Sequence, residues 1–375
     1  MRIVADENIP YVREAFSQLG DVCLSPGRKM TPETVRDAEV LLVRSVTQVN
    51  ESLLDGSKVR FVGTATIGTD HVDQACLEER GIRFVSAPGS NANSVAEYIM
   101  TALLTLAGHC GRTLAGRSLG IVGVGNVGGR VEKKAKALGM EAVLNDPPLR
   151  RTTGDEKYRP IGEIFETDIV TFHTPLTSIG IDKTYHLAGE AFFKALKPGT
   201  IFINSSRGGV HDTASLKSAI DNGKLKACVL DVWEDEPGID VDLLKRVDFG
   251  TPHIAGYSYD GKVAGMIMIY EALCGHFGIE VANSIDDFLP RPAVEEVVVD
   301  GSGQAAVLEA VNTLYDIGRD DAMLRDVMGV EAGDRGKFFD GLRKGYHIRR
   351  EFQNTRVLAK DLEAKEILAG VGFGI

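Results

Sequence analysis

Leu119-Gly-Ile-Val-Gly-Val-Gly-Asn-Val-Gly-Gly-Arg130 decides the fold. Apolar, β-branched residues run into Gly123, Gly125 and Gly128, and a charged helical pattern from Arg130 to Leu138 follows. That order is strand, glycine turn, helix. In a dinucleotide-binding βαβ unit the first glycine permits the tight turn and the second lets backbone approach a pyrophosphate. The third lets the helix pack closely on the strand. The N–H groups of Asn126, Val127 and Gly128 would open that helix with its positive end toward the phosphates. In a chain with 42 glycines the motif is weak by itself.

Its neighbours strengthen it. Glu141-Ala-Val-Leu-Asn-Asp146 reads as a strand ending in an acid about twenty residues past the glycines, where a carboxylate takes the adenosine ribose hydroxyls. A carboxylate there repels a 2′-phosphate, so NAD is expected over NADP; Arg150 and Arg151, close by, argue the other way. The plain alternative for Asp146 is an acid before a Pro-Pro turn.

The alternation continues downstream. Ile169-Val-Thr-Phe172 leads into His173-Thr-Pro-Leu-Thr177, and Thr200-Ile-Phe-Ile-Asn204 into Ser205-Ser-Arg-Gly-Gly209. Cys228-Val-Leu-Asp231 leads into Val232-Trp-Glu-Asp-Glu-Pro237, and Phe249-Gly-Thr-Pro into His253-Ile-Ala-Gly-Tyr257. Near-continuous apolar runs suit parallel strands buried on both faces. Each is followed by a loop with a residue capable of chemistry.

Upstream, Ile3-Ala5, Val40-Arg44, Phe61-Gly63 and Ile82-Val85 read as four strands separated by helical patterns, an open α/β domain. Small hydroxyl residues follow two of them, at Ser45 to Thr47 and Thr64 to Thr69. They are candidate substrate contacts, or simply turn chemistry. Ser94-Val-Ala-Glu97 has the spacing of a capping box and is expected to open an apolar helix to about Ala107. Lys262 to about Phe277 reads as a return helix. Past Asn283 the pattern changes to a small α+β segment, helical over Ala305 to Leu314 and basic over Gly341 to Arg356.

Composition bounds the function. The 375 residues carry a net charge of −11, which argues against nucleic acid or an anionic membrane as partner. The longest apolar run, Tyr98 to Gly108, is too short to span a bilayer. The chain opens directly on a strand pattern, with no signal peptide visible. Its five scattered cysteines lack metal-type spacing and read as reduced thiols in a cytoplasmic protein; no metal is expected.

Arg207, Glu236 and His253 fall on three consecutive strand-end loops. A guanidinium can hold a carboxylate bidentately and polarise the oxygen on its C2. Histidine can take a hydroxyl proton as hydride leaves for a nicotinamide, with a carboxylate fixing its tautomer. Singly each could be a turn or loop residue. Together, after a nucleotide fold, they suit oxidation of a 2-hydroxy acid.

Gly123-x-Gly-x-x-Gly128, His173-Thr-Pro-Leu-Thr177, Asn204-Ser-Ser-Arg-Gly208, Asp231-Val-Trp-Glu-Asp-Glu-Pro237 and Pro252-His-Ile-Ala-Gly256 resemble the signatures of D-isomer-specific 2-hydroxyacid dehydrogenases. Within that family the first domain and tail resemble members acting on a small phosphorylated 2-hydroxy acid. Asp6-Glu-Asn-Ile-Pro10, Arg44 to Leu54, Phe61 to Thr66, Gly68 to His71 and Tyr315 to Asp321 carry this closer likeness. It implies an α/β chain with three parts: a flavodoxin-like substrate (lid) domain over 1–94, completed by a return helix near 262–282, a Rossmann-like NAD-binding domain over 95–258, and a small α+β dimerisation domain over 286–375. Carried over, it implies catalysis by His253 with Arg207 and Glu236, and substrate contacts at Ser45, Thr66 and Tyr257. NAD contacts are implied at Asp146, Thr174, Ser205, Ser206, Arg207, Asp231 and Gly256, besides the glycine turn. A homodimer is implied too. Arg44, Lys262, Arg349 and Arg350 are candidate ligands of the substrate phosphate. Two other readings compete: a relative specific for phosphoglycerate or glycerate, and an NAD-sensing, corepressor-like binding protein.

Overall fold

Five parallel strands organise the first unit: β1 (Arg2–Asp6), β2 (Asp21–Ser25), β3 (Val40–Val43), β4 (Phe61–Thr64) and β5 (Arg83–Val85). The structure, a computed structural model, describes residues 1–375. The chain divides into Met1–Asn91 with Ser258–Arg291, and Ala92–Tyr257 with Pro292–Ile375. In the first unit the sheet order is β2-β1-β3-β4-β5, the flavodoxin-like order expected. β3 and β4 are buried along their whole length, as strands covered on both faces must be. The return helix, Tyr259–Phe277, is capped by Ser258, whose hydroxyl accepts from the Gly261 N–H, and its Val263, Met266, Ile269 and Tyr270 pack against Ile3, Leu42 and Phe61. β2 was not among the expected strands. It is an edge strand, alternately exposed, that pairs only with β1, so it has no continuous apolar signature.

The second unit is built on β6 (Ser118–Val122), β7 (Glu141–Asn145), β8 (Ile169–Phe172), β9 (Thr200–Asn204), β10 (Leu225–Leu230) and β11 (Phe249–Gly250). All pair in parallel in the order β11-β10-β9-β8-β6-β7, so their carboxyl ends share one edge. A single parallel bridge from Leu144 to Tyr158 extends the sheet beyond β7. From β6 the chain goes first to one side and then, at β8, to the other. A crevice opens at such a reversal, and ligands of open α/β sheets bind there.

The tail, expected as a domain of its own, shares the second unit's core. It contributes a two-stranded parallel sheet, β12 (Glu296–Val299) with β13 (Arg356–Ala359), and helices Gly303–Leu314, Ile317–Arg325, Arg335–Lys344 and Leu362–Val371. Val299, Val307, Val311 and Leu368 join one cluster with Leu103, Leu104, Val131 and Ala135 of the nucleotide-binding part. The helices approach closely because glycines face them: a Cβ on Gly370 would lie 2.4 Å from Cβ of Ala137.

The long helix runs over Ala92–His109, so Ser94 lies inside it and the expected capping box is absent. Those two polar residues have another role. The Ser94 hydroxyl donates to Glu351 Oε1 at 2.6 Å, and Glu97 Oε1 accepts from Asn93 and, at 3.0 Å, from the Phe352 N–H. Lys134, on the helix after the glycine turn, lies 3.9 Å from Glu97 and donates to the Val371 carbonyl. Burial, then the neighbouring Glu351, push the Glu97 carboxyl up to about 8, against the pull of Lys134. Raised to about 8, Glu97 is largely protonated at neutral pH, and Lys134 offsets the charge it gains above that. Lys134→Met is expected to lower stability by about 3 kcal/mol above about pH 8, where Glu97 is ionised. Denaturant midpoints should show the loss shrinking as pH falls through about 8 and Glu97 takes up its proton.

Candidate active site

The glycine turn after β6 is shaped by contact. Gly123 has φ +88°, and a Cβ there would lie 2.7 Å from the His173 carbonyl oxygen after β8, across the sheet's reversal point. A Cβ on Gly128 would fall 2.1 Å from the Gly123 oxygen, so only glycine lets the helix Asn126–Ala137 start this close to its strand. Gly125 differs: a Cβ there would meet nothing within 4 Å. No protein contact requires that glycine, and its bare backbone keeps space clear for an approaching ligand. It is also the N-cap, with no side chain capping the helix, so the first-turn N–H groups keep their capacity for an anion.

Asp146 stands at the end of β7. Its Oδ2 accepts from the Val124 N–H at 2.8 Å, tying it to the glycine turn, and Oδ1 caps the helix Pro147–Thr153 through Leu149 N–H at 3.0 Å. Arg151 is paired with Asp182, which removes one of the two cations that argued for NADP. After β8 and β9, Thr174 Oγ1 and Ser205 Oγ are buried without hydrogen-bond partners. Buried hydroxyls normally find one. A clear cradle at Gly125, an uncapped helix start, a strand-end carboxylate and two orphaned hydroxyls together fit a dinucleotide.

Asn204 organises the next loop. Its Oδ1 accepts from the Ser206 N–H and hydroxyl, and its Nδ2 donates to the Arg207 carbonyl and to His211 Nδ1. Arg207 Nη1 donates to the Ser206 carbonyl at 2.7 Å. Gly208 follows because a Cβ there would overlap the Trp233 carbonyl. Trp233 then locks the next two loops together. Its indole N–H donates to the Thr251 carbonyl at 3.0 Å, and its backbone N–H donates to Glu236 Oε1 at 2.8 Å.

Glu236 Oε2 accepts from His253 Nδ1 at 2.8 Å. Burial would push the Glu236 carboxyl up, but the His253 charge and hydrogen bond, the Trp233 N–H and the Arg343 guanidinium hold it below the usual carboxylate range. A carboxylate fixed on Nδ1 leaves Nε2 to exchange protons with a ligand. His253 has φ +58°, a conformation costing about 1–3 kcal/mol for a residue of this kind. It is held there by Asp231 at the end of β10. Asp231 Oδ1 accepts from the Thr251 hydroxyl and the Ile254 N–H, and Oδ2 accepts from the Ala255 N–H at 2.9 Å. Asp231 is 1% exposed.

The remaining expected residues fall in both units. Ser45 and Thr66 follow β3 and β4 in the first. Ser45 is exposed, while Thr66 shares a hydrogen bond with Thr64 at 2.8 Å and donates to the Gly68 carbonyl. Tyr257 and Gly256, in the second unit, follow His253 and are half-buried. Asn204 and Trp233 escaped the sequence reading. Both lie inside motifs quoted for other members, and neither carries a reacting group.

Residues 92–255 match the family model described as D-isomer specific 2-hydroxyacid dehydrogenase, NAD binding domain. Residues 288–372 match one described only as a domain of unknown function. The chain is 49% identical to the erythronate-4-phosphate dehydrogenase of Klebsiella pneumoniae over 100% of this chain and 98% of that one. Identity to the enzyme of the same name from an Escherichia coli strain is 46% over the same shares. Among solved structures, the TT0316 protein of Thermus thermophilus aligns with TM-score 0.63 and 25% identity over 76% of this chain and 99% of that one. The D-lactate dehydrogenase of Aquifex aeolicus, solved with NAD and lactic acid, aligns with TM-score 0.60 and 24% identity over 76% and 100%.

If Glu236 acts as its carboxylate, Glu236→Gln should lower kcat about 10³-fold with NAD affinity unchanged. Because Glu236 is already held below the usual carboxylate range, any acid limb of kcat/KM above that range should survive the substitution. Its disappearance would assign the limb to Glu236. The fold, the site geometry and full-length likeness agree: this chain belongs to the erythronate-4-phosphate dehydrogenases, within the D-isomer specific 2-hydroxyacid dehydrogenase family.

Proposed function

We propose that the protein oxidises 4-phospho-D-erythronate at C2 to (R)-3-hydroxy-2-oxo-4-phosphooxybutanoate with NAD, a step of pyridoxal 5′-phosphate (vitamin B6) formation. The observation that carries this is the His253–Glu236 pair at 2.8 Å, set on the sheet edge that bears the glycine turn. NAD, when bound, supplies the hydride acceptor. Asp146 is assigned to the adenosine ribose, and the N–H groups of Asn126, Val127 and Gly128 to the pyrophosphate. Thr174, Ser205, Ser206 and Gly256 line the rest of the cofactor's path, with Asp231 acting through the loop it braces.

His253 Nε2 takes the proton of the C2 hydroxyl, and Glu236 stabilises the imidazolium that results. Arg207 binds the substrate carboxylate and polarises the C2 oxygen. Ser45, Thr66 and Tyr257 offer hydroxyls to the rest of the substrate. A homodimer belongs to the same reading. It is supported by Val298 and Leu358, paired across β12 and β13 and pointing outward at 61% and 37% exposure. No helix is long and apolar enough to cross a membrane, and a cytoplasmic setting is proposed with the enzyme's role.

The test is NADH formation on a panel of D-2-hydroxy acids, with a 2-oxo acid added to reoxidise any retained NADH. Turnover of 4-phospho-D-erythronate is expected. Turnover of 3-phosphoglycerate or glycerate instead would overturn the assignment, and no turnover on any acid would favour a binding protein. His253→Ala should lower kcat by about 10²–10⁴-fold while NAD affinity holds. Asp146→Ser keeps a helix-capping oxygen and removes the charge, so the preference for NAD over NADP should fall by about tenfold or more. Unchanged selectivity would move the ribose contact elsewhere.

A further inference from the structure

We propose that Arg343 binds the phosphate of the substrate, so that the tail matched only as a domain of unknown function supplies a specificity residue to the active site. This rests on the phosphorylated 2-hydroxy acid assigned above.

The tail helix Arg335–Lys344 lies over the loop that carries Glu236. A Cβ on Gly336 would be 3.2 Å from the Pro237 ring, so the glycine sets a close approach. The same helix buries Phe339 and places the Arg343 guanidinium 5.6 Å from the Tyr257 ring centre and 6.0 Å from that of Phe339. Tyr257 is gripped from the tail a second time, edge-on by Tyr346 at 5.9 Å. The Arg343 charge thus stands beside a residue four positions past His253. It is close enough to help hold Glu236 ionised.

Its hydrogen-bonding capacity is not used up. Arg343 Nε is buried with no partner, an arrangement that costs free energy unless something accepts from it. The other tail cations considered for the phosphate are less available: Arg349, although its Nη1 is likewise buried without a partner, is only 5% exposed, whereas Arg343 is half-buried. Arg349 donates to the Ala255 carbonyl at 2.6 Å and lies over the Tyr315 ring at 4.3 Å, and Arg350 donates to Asn354 at 2.6 Å. A guanidinium on an aromatic face, with a donor left over, suits a phosphate, which accepts from the planar fork at two oxygens.

Chemistry places the need on the same side. Arg207 and His253 serve the carboxylate and C2, so the phosphate projects from the opposite end of the carbon chain. The two solved relatives described above each reach across about three-quarters of this chain. Arg343 lies in the tail, and is an addition to the machinery that 92–255 shares with the family.

The experiment compares wild type, Arg343→Gln and Arg343→Lys on 4-phospho-D-erythronate and on D-erythronate, the same acid without phosphate. For Arg343→Gln, KM for the phosphorylated acid should rise on the order of 10²-fold, with kcat within a few-fold. kcat/KM for D-erythronate should fall only by the factor, on the order of threefold, that both acids share from losing the charge beside Glu236, so preference for the phosphate collapses. Arg343→Lys should restore part of the affinity, since charge remains and the fork is lost. Inorganic phosphate should compete with the phosphorylated acid on wild type and more weakly on either variant. Equal losses on both acids would overturn the proposal and make Arg343 a positioning residue for Glu236 or Tyr257; an unchanged KM would overturn it outright. If Arg343→Gln does not fold, Arg343→Lys and the phosphate competition decide. A wild type inactive on 4-phospho-D-erythronate would instead overturn the proposed function.

Discussion

The carboxylate of Asp231 is the constraint on which the site depends. A histidine at φ +58° is an unfavourable local state, and nothing in Pro252-His253-Ile254 would choose it. Asp231 chooses it by collecting the Thr251 hydroxyl and the N–H groups of Ile254 and Ala255, which forces the chain to turn sharply at His253. The turn in turn lets Nδ1 reach Glu236. Burial pushes the Asp231 carboxyl up to about 6, although the His253 charge and the three hydrogen bonds pull the other way. A buried carboxylate is tolerated when its lone pairs are filled, and here the donors that fill them are the loop being shaped.

The tail works on that loop from outside. Asp321 accepts from the Gly250 N–H at 2.8 Å, just before His253, and Arg349 donates to the Ala255 carbonyl at 2.6 Å, just after it. Arg325 spans Asp321 and the carbonyls of Leu244 and Val247. Tyr346 presses on Tyr257 while its hydroxyl donates to Asp320 at 2.7 Å. Segments more than sixty residues apart in the chain therefore hold one strained turn between them. An element that packs this way affects catalysis without touching substrate, since a misplacement of about 1 Å in a reacting group is enough to slow it.

These relationships explain what the sequence could disclose. Gly123, Gly125, Gly128 and Asp146 were legible because their spacing is local, and a glycine turn and a strand-end acid at that separation reinforce each other. Arg207, Glu236 and His253 were legible because each follows a continuous apolar strand, and parallel strands bring such ends together. β2 was not, since an edge strand such as Asp21–Ser25 leaves no periodic signal. Ser94 and Glu97 misled because their spacing suits a cap, whereas their partners Glu351 and Phe352 lie more than 250 positions away. Arg343 was hidden the same way. In the chain it is one cation in a basic stretch, and only packing of Gly336 on Pro237 brings it to Tyr257.

Three histidines near the carboxyl edge show how environment selects one for chemistry. His173, after β8, is pushed down to about 3 by burial; it shares a hydrogen bond with Thr171. His211, in the loop after β9, is pushed down to about 4 by burial, despite the carboxylates nearby, and its Nδ1 accepts from Asn204. Both stay neutral across the physiological range and serve as fixed hydrogen-bonding pieces of their loops. His253 has a side chain 32% exposed and a carboxylate on Nδ1, which leaves Nε2 open to a ligand. The imidazole is the same in all three. What differs is the carboxylate on Nδ1 of His253, brought within reach by the turn that Asp231 holds.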